Sequence, residues 1–294
     1  MHRALHLIAA LLLTAAMVLA AGRLRAARAK PYDVEVVPPL AAVRWLSLGH
    51  PLTAANLYWL RTVQYIGEPR ADERGWDKLY PLVELVTDLD PRHGYAYQVA
   101  GVVLSSAERL HESNALLEKG SRNVPDRYIL PYFRAFNAFY YENDWPLAGK
   151  WAEIAARSPG APEHVRQNVL SYYVKGGRAD AAVRFLEDAY GSAQDEESRK
   201  AVKAQLDQAV FERDVEPVDA AIARWRERNL VGPIALESLV ADGLLDALPQ
   251  DPYGGELYPG PDGRVRSTVH DRRISPRPAA ESLRDPALHL GTSK

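Results

Sequence analysis

The chain of 294 residues contains no cysteine. That absence excludes disulfides, thiolate metal sites, a cysteine nucleophile and a lipid-modified N-terminal cysteine, and it fits an oxidising compartment. An excess of charge of one sign is also lacking. With 36 basic against 38 acidic residues the formal charge is −2, so no global field draws the chain to nucleic acid or to an anionic surface. The familiar catalytic signatures are missing as well: there is no Gly-x-Ser-x-Gly elbow, no His-Glu-x-x-His pair, no phosphate loop and no dinucleotide glycine pattern. His111 and Glu112 are sequence neighbours that a helix points about 100° apart, which suits a solvated helix end better than an acid–base pair. The glycine-rich "GGELYPGPDG" has no following helix to supply amide donors. Asp251, Glu256 and Asp262 do not match the spacing of a calcium loop. The expectation is a protein without catalysis, without a metal and without a small-molecule cofactor.

What the chain does have is 47% hydrophobic residues, enough for a sizeable core. Its first 31 residues differ in composition from the rest. The run "ALHLIAALLLTAAMVLAAG" after Arg3 carries no formal charge over 19 residues, close to the length of a bilayer-spanning helix. It is read as a signal anchor, or as a signal peptide cleaved after Val18-Leu19-Ala20. Arg23, Arg25, Arg28 and Lys30 follow the run and by the positive-inside tendency argue for a cytoplasmic body. A short N-terminal tail before a single span is, in contrast, the form of an export signal. The expected location is therefore the inner membrane, single-pass, with a periplasmic body, or the periplasm itself if the signal is cleaved. Residues 32–51 are proline-rich and read as a linker.

A period runs through the middle of the chain. In "LVELVTDLDPRHGYAY" an apolar helical pattern halts at Asp90-Pro91 and restarts at Tyr95, and proline disfavours helix both at its own position and at the preceding residue. Pro91, Pro125 and Pro159 then fall at two successive intervals of 34. Small or apolar residues recur with them at Leu79, Ser113, Ala148 and Ala182, at Val83, Leu117, Ala152 and Leu186, and at Val86, Gly120, Ala155 and Ala189. A period of this length marks stacked supersecondary units.

The pattern resembles the tetratricopeptide repeat. The residues that carry it are Tyr97, Gly101, Leu104, Ser113, Leu117 and Gly120 in the unit from Gly94. From Ile129 they are Tyr132, Phe136, Phe139, Ala148, Ala152 and Ala155. From Glu163 they are Tyr173, Ala182, Leu186 and Ala189, with Gly177 in the turn. The resemblance covers roughly residues 50 to 229, with degenerate flanking pairs at each end; the last pairs a helix around 197–213 with "PVDAAIARWRERN". It implies an all-α fold, a right-handed α-solenoid of helix hairpins over 52–230. Small side chains let paired helices approach, and large ones fill the grooves between units. Around the solenoid stand the N-terminal membrane helix, a capping helix and turn-rich segment over 231–269, and a disordered tail over 270–294. Within "QDPYGGELYPGPDGRVRST", Arg264 to Thr268 reads as a short strand, and the Asp-Pro-aromatic-Gly turn is similar to one near the end of some pseudopilins.

The resemblance also implies where a partner lies. Solenoids of this kind bind extended peptides or helices in a concave groove lined by the first helix of each unit. By the family's register the groove positions are Tyr95, Gln98, Phe133, Asn137, Tyr140, His164, Gln167 and Ser171, a largely uncharged set able to meet a peptide backbone. The function so implied is a membrane-tethered scaffold for protein–protein interaction in a bacterial envelope assembly. A structural part of a pilus or secretion apparatus, and a glycan-binding or glycan-processing α-solenoid, are the alternatives.

Overall fold

The computed structural model describes residues 36–68, 75–228 and 234–277, together with Met17. The apolar run and the arginines after it otherwise lie outside the described residues. Among the described residues no helix is long and apolar enough to cross a membrane.

The fold is all-α with very little strand. Eleven helices are described: α1 Leu40–Leu46, α2 Pro51–Ile66, α3 Leu79–Leu89, α4 Gly94–Ser106, α5 Leu110–Asn123, α6 Ile129–Tyr140, α7 Trp145–Arg157, α8 Glu163–Lys175, α9 Ala179–Ser192, α10 Glu196–Arg228 and α11 Leu236–Ala241. The chain divides into two compact units, one ending at Ser113 and the other beginning at Asn114.

In the first unit α2 packs on α3 and α3 on α4. The 32–51 segment expected as a linker contains α1, because its prolines sit where they start helices. Pro39 caps α1 in an extended conformation, and Pro51 occupies the first turn of α2, where a missing amide costs nothing. Leu40 and Val43 then cover Ala55, Leu85 and Leu89. Between α4 and the start of α5, Ser113 Oγ donates to the Gly101 carbonyl at 2.6 Å in a fully buried contact. A small residue on each side permits that approach.

In the second unit α6 packs on α7, α7 on α8, α8 on α9 and α9 on α10. Packing of each helix on its sequence neighbour is compatible with an α-solenoid. The expected small positions lie at these contacts: Ala148, Ala152, Ala155 and Ala182 have no exposed surface. Gly149 is smaller still, since a Cβ there would fall 2.4 Å from the Tyr173 ring. Asp144 caps α7 by accepting from the Leu147 amide at 2.9 Å, which sets where the second helix of that pair begins.

The expected last pair is not a pair. One helix, α10, runs for 33 residues through Pro217. Val202, Ala209, Phe211, Val215, Val218, Ala221 and Ile222 are all buried, so a single helical register keeps the apolar stripe continuous across the proline. Burying that stripe outweighs the hydrogen bond that proline removes. The C-terminal segment packs on the second half of this helix. Ile234, Leu236, Leu239, Leu244 and Val265 join Phe211, Val215, Val218, Ala221 and Ile222 in one core. The expected capping helix forms as the short α11, and the expected strand forms as β2 (Val265–Ser267), antiparallel to β1 (Leu257–Pro259) with Tyr258 opposite Arg266.

Candidate functional site

On α6 the eight-residue groove set meets its clearest test of register. At 100° per residue, Phe133, Phe136 and Tyr140 share one face, and Asn137 lies roughly 40° round from Phe133. That rotation decides its environment. Phe133, Phe136 and Tyr140 are half-buried, whereas Asn137 is 1% exposed. Asn137 Nδ2 donates to Asn114 Oδ1 at 2.9 Å, and Asn114 Nδ2 donates to Glu142 Oε1 at 2.5 Å. Arg134 closes the network, donating to Glu142 at 3.2 Å and to Glu118 at 2.9 Å with its guanidinium over the Trp151 ring. Asn137 therefore joins a buried polar network between α5 and α6 and does not present its amide to a partner.

The half-buried face is aromatic. Phe136 and Tyr140 stack at 5.0 Å with an interplanar angle of 18°, and Tyr141 meets Tyr140 edge-on at 4.8 Å. Beneath them Phe139 contacts Trp145 and Tyr172, which anchors the cluster to α7 and α8. Phe139 is packing; Phe133, Phe136 and Tyr140 are packing with one side open.

Tyr132 meets His164 edge-on at 6.0 Å, linking α6 to the start of α8. His164 and Gln167 are exposed and Ser171 is half-buried. Arg166, also at the start of α8, is paired with Glu163, and burial lowers its pKa. In the first unit Tyr95 is exposed and Gln98 half-buried, and Tyr95 meets Trp59 of α2 edge-on at 5.9 Å. On α6 Phe133, Phe136 and Tyr140 thus stay half-buried while Asn137 is withdrawn, and on α8 His164, Gln167 and Ser171 reach the surface.

Two polar arrangements escaped the sequence reading. One is the Arg134 network, whose only signal was a lone arginine in the aromatic run "YFRAFNAFYY". The other lies at the C-terminus, in the segment expected to be a disordered tail from residue 270. The side chain of Arg273 is 4% exposed and donates to Glu212, whose side chain is 1% exposed, at 3.0 Å and to Asp219 at 2.8 Å. Burial alone would lower its pKa, but the hydrogen bonds to Asp219 and Glu212 outweigh that and raise it. The Ile274 amide also donates to Glu212, at 2.6 Å. His270 stacks on Tyr253 at 4.5 Å, and both approach Gln208. Residues 270–274 are thereby tied to α10, and Arg277 donates to Asn143 Oδ1 and to its carbonyl, between α6 and α7; residues 278–294 lie outside the described residues.

Two of the three acidic residues considered for calcium, Asp251 and Asp262, are committed elsewhere. Asp251 accepts from the amides of Tyr253 and Gly255 and from Ser267 Oγ. Asp262 accepts from the Arg264 amide and from Arg266. Among the described residues no group of His, Asp and Glu is placed to hold a metal ion. Glu112, beside His111, is paired with Arg109. A cleft of about 520 Å³ between α7, α9 and the start of α10 is lined by Arg157, Arg166, Phe185, Asp188 and Asp195. Its one hydroxyl–carboxylate pair, Ser198 with Asp195, is a helix cap: the Ser198 amide and Oγ both donate to Asp195 at 2.7 Å.

No family model matches the chain, and neither a curated protein nor a solved structure matches it.

Proposed function

We propose that the chain is a membrane-tethered scaffold of tetratricopeptide-like helix pairs, which holds a protein partner against the first helices of its second unit and performs no catalysis. The observation that carries this reading is the open face of α6 and α8. Phe133, Phe136 and Tyr140 offer aromatic surface on α6, and His164, Gln167 and Ser171 offer hydrogen-bonding groups on α8, whose start Tyr132 joins to α6 through His164. Aromatic anchors with uncharged polar neighbours suit the backbone and apolar side chains of an extended peptide or a partner helix. Helix-on-neighbour packing with small residues at the contacts supports the repeat architecture. The uncharged run over 4–22 supports the tether, and on this reading the body stands on the periplasmic side of the inner membrane.

The Asp251–Gly255 turn is committed to its own hydrogen bonds and to Gln208. We give it a structural part and do not carry the pilus reading further. A photo-crosslinking amino acid at Gln167 in the full-length chain, in native membranes, tests the proposal. It should give one discrete protein adduct that the same group at Lys200 on α10 does not give. Equal adducts at both positions, or none at Gln167, would count against it.

A further inference from the structure

The exposed apolar surface of this chain is concentrated at one place. Of fourteen large hydrophobic residues that stand exposed among those described, eight fall between Val36 and Val63. Trp45 and Leu48 are the extremes at 77% and 83% exposed. Trp45 and Leu46 project from the end of α1, Leu48 from the turn, and Leu52, Leu57, Leu60 and Val63 from the outer face of α2. The rest of that outer face is Thr53, Asn56 and Gln64, so it bears no charge at all. Beneath Leu46, Leu48 and Leu57 opens a cleft of about 460 Å³, lined mainly by Pro38, Val43, Ala54 and Tyr58.

The backbone adds a second observation. Leu48 has φ 48°, a left-handed conformation that is rare for a residue of this bulk and normally left to glycine or asparagine. Leu48 is the residue that ends α1 just after its C-cap Ser47, and the left-handed turn there carries its side chain outward, where it stands 83% exposed.

Charge says what would cover the surface. In a chain with 38 acidic residues the stretch 36–67 contains none, while it holds Arg44, His50 and Arg61. Upstream stand Arg23, Arg25, Arg28 and Lys30 against Asp33 and Glu35. In sequence the apolar run is close by: thirteen residues lie between its last position, Gly22, and Val36. Fully extended, they reach at most about 50 Å, and less in any compact form. An acid-free surface of Trp and Leu, tethered this close to an apolar run and accompanied by arginines, has the composition of a membrane-interface segment.

We propose that Trp45, Leu46, Leu48, Leu52, Leu57 and Leu60 dock α1 and the outer face of α2 on the headgroup region of a phospholipid bilayer. This rests on the tether reading, since the bilayer is the one that residues 4–22 enter. The docked surface adds a second, peripheral attachment and fixes which side of the first unit faces lipid. Arg44, exposed and with one guanidinium nitrogen donating to the Asp88 carbonyl at 3.0 Å, meets phosphate at the rim, so anionic lipid strengthens the contact.

The absence of cysteine makes the test direct. Leu48→Cys and, separately, Leu57→Cys in the full-length chain carry an environment-sensitive fluorophore, and the protein is reconstituted into phosphatidylcholine–phosphatidylglycerol vesicles containing nitroxide lipids. Lys200→Cys on α10 is the reference, and far-UV circular dichroism verifies that each variant is folded. Labels at 48 and 57 should be quenched several-fold more strongly than the label at 200. Equal, weak quenching at all three positions overturns the proposal. So does shielding of 48 and 57 from aqueous quenchers without quenching by lipid, which would mean that a second copy or the chain's own 23–35 segment covers the surface. A carbonate wash of the same vesicles separates this from the tether. Protein that is washed off although its labels had been quenched refutes the tether alone; protein that stays while its labels remain unquenched refutes the docking alone.

Discussion

At Gly149 the side chain decides whether α7 and α8 can touch. The Tyr173 ring occupies the space a Cβ would need, and its hydroxyl is fixed by donating to Glu153 Oε2 at 2.9 Å. Gly149→Ala gains about 1 kcal/mol in helix propensity but must push that ring aside, and overpacking of this kind costs about 1 to 3 kcal/mol. The expected net result is a destabilisation of about 1 kcal/mol, readable in urea unfolding; a neutral or stabilised variant would mean the two helices adjust freely. The sequence made part of this packing legible. Ala148, Ala152, Ala155 and Ala182 stood out because they recur near every 34 residues, and all four are buried. Gly149 did not, since the repeat marks only one small position there. Asn137 was assigned to the open face because the family register counts residues along a helix and does not see the asparagine and arginine partners that draw one side chain inward.

The elements divide in the same way. The turns after Leu89, Asn123 and Arg157 were legible, because each contains a proline that stops a helix and the three are evenly spaced. The helix through Pro217 was not legible: locally the residue reads as a break, and only the long apolar stripe buried on both sides of it keeps the helix continuous. This gives a prediction with a definite sign. An interior proline costs a helix about 3 kcal/mol, and Pro217 is exposed, so Pro217→Ala should raise stability by about 1 to 3 kcal/mol without altering the core beneath. A fall in melting temperature would show instead that the proline shapes α10 for the C-terminal segment. That segment was itself read as partly disordered, because Arg273 in a polar, proline-containing stretch gives no local sign of Glu212 and Asp219, more than fifty residues upstream.

Over the whole molecule the titration of buried tyrosines sets an upper pH limit. Burial raises Tyr172 and Tyr253, burial and then the bond to Glu153 raise Tyr173, and burial with the Glu84 hydrogen bond pushes Tyr80 up to about 12. A raised pKa means that the folded state holds its proton longer than the unfolded state, whose tyrosines titrate near 10.0. The stability these groups contribute is therefore complete below pH 10 and is lost as pH rises towards and past 12. Melting temperature should fall across that window, and less steeply in Tyr173→Phe; parallel curves for the two proteins would contradict the assignment.

On the proposed face some residues of α6 and α8 meet a partner and others hold the fold, so the decisive measurement pairs one of each. Once the adduct at Gln167 has identified the partner, stability and affinity are measured side by side for Gln167→Glu and Asn137→Ala. Gln167→Glu adds a carboxylate to the proposed face, one turn from Glu163, and should weaken binding about tenfold or more, with stability within about 0.5 kcal/mol of wild type. Asn137→Ala breaks a buried hydrogen bond and should cost about 1 to 3 kcal/mol of stability while the folded protein binds normally. The reverse pattern, with Asn137→Ala losing the partner and Gln167→Glu binding as wild type, would contradict the proposed face.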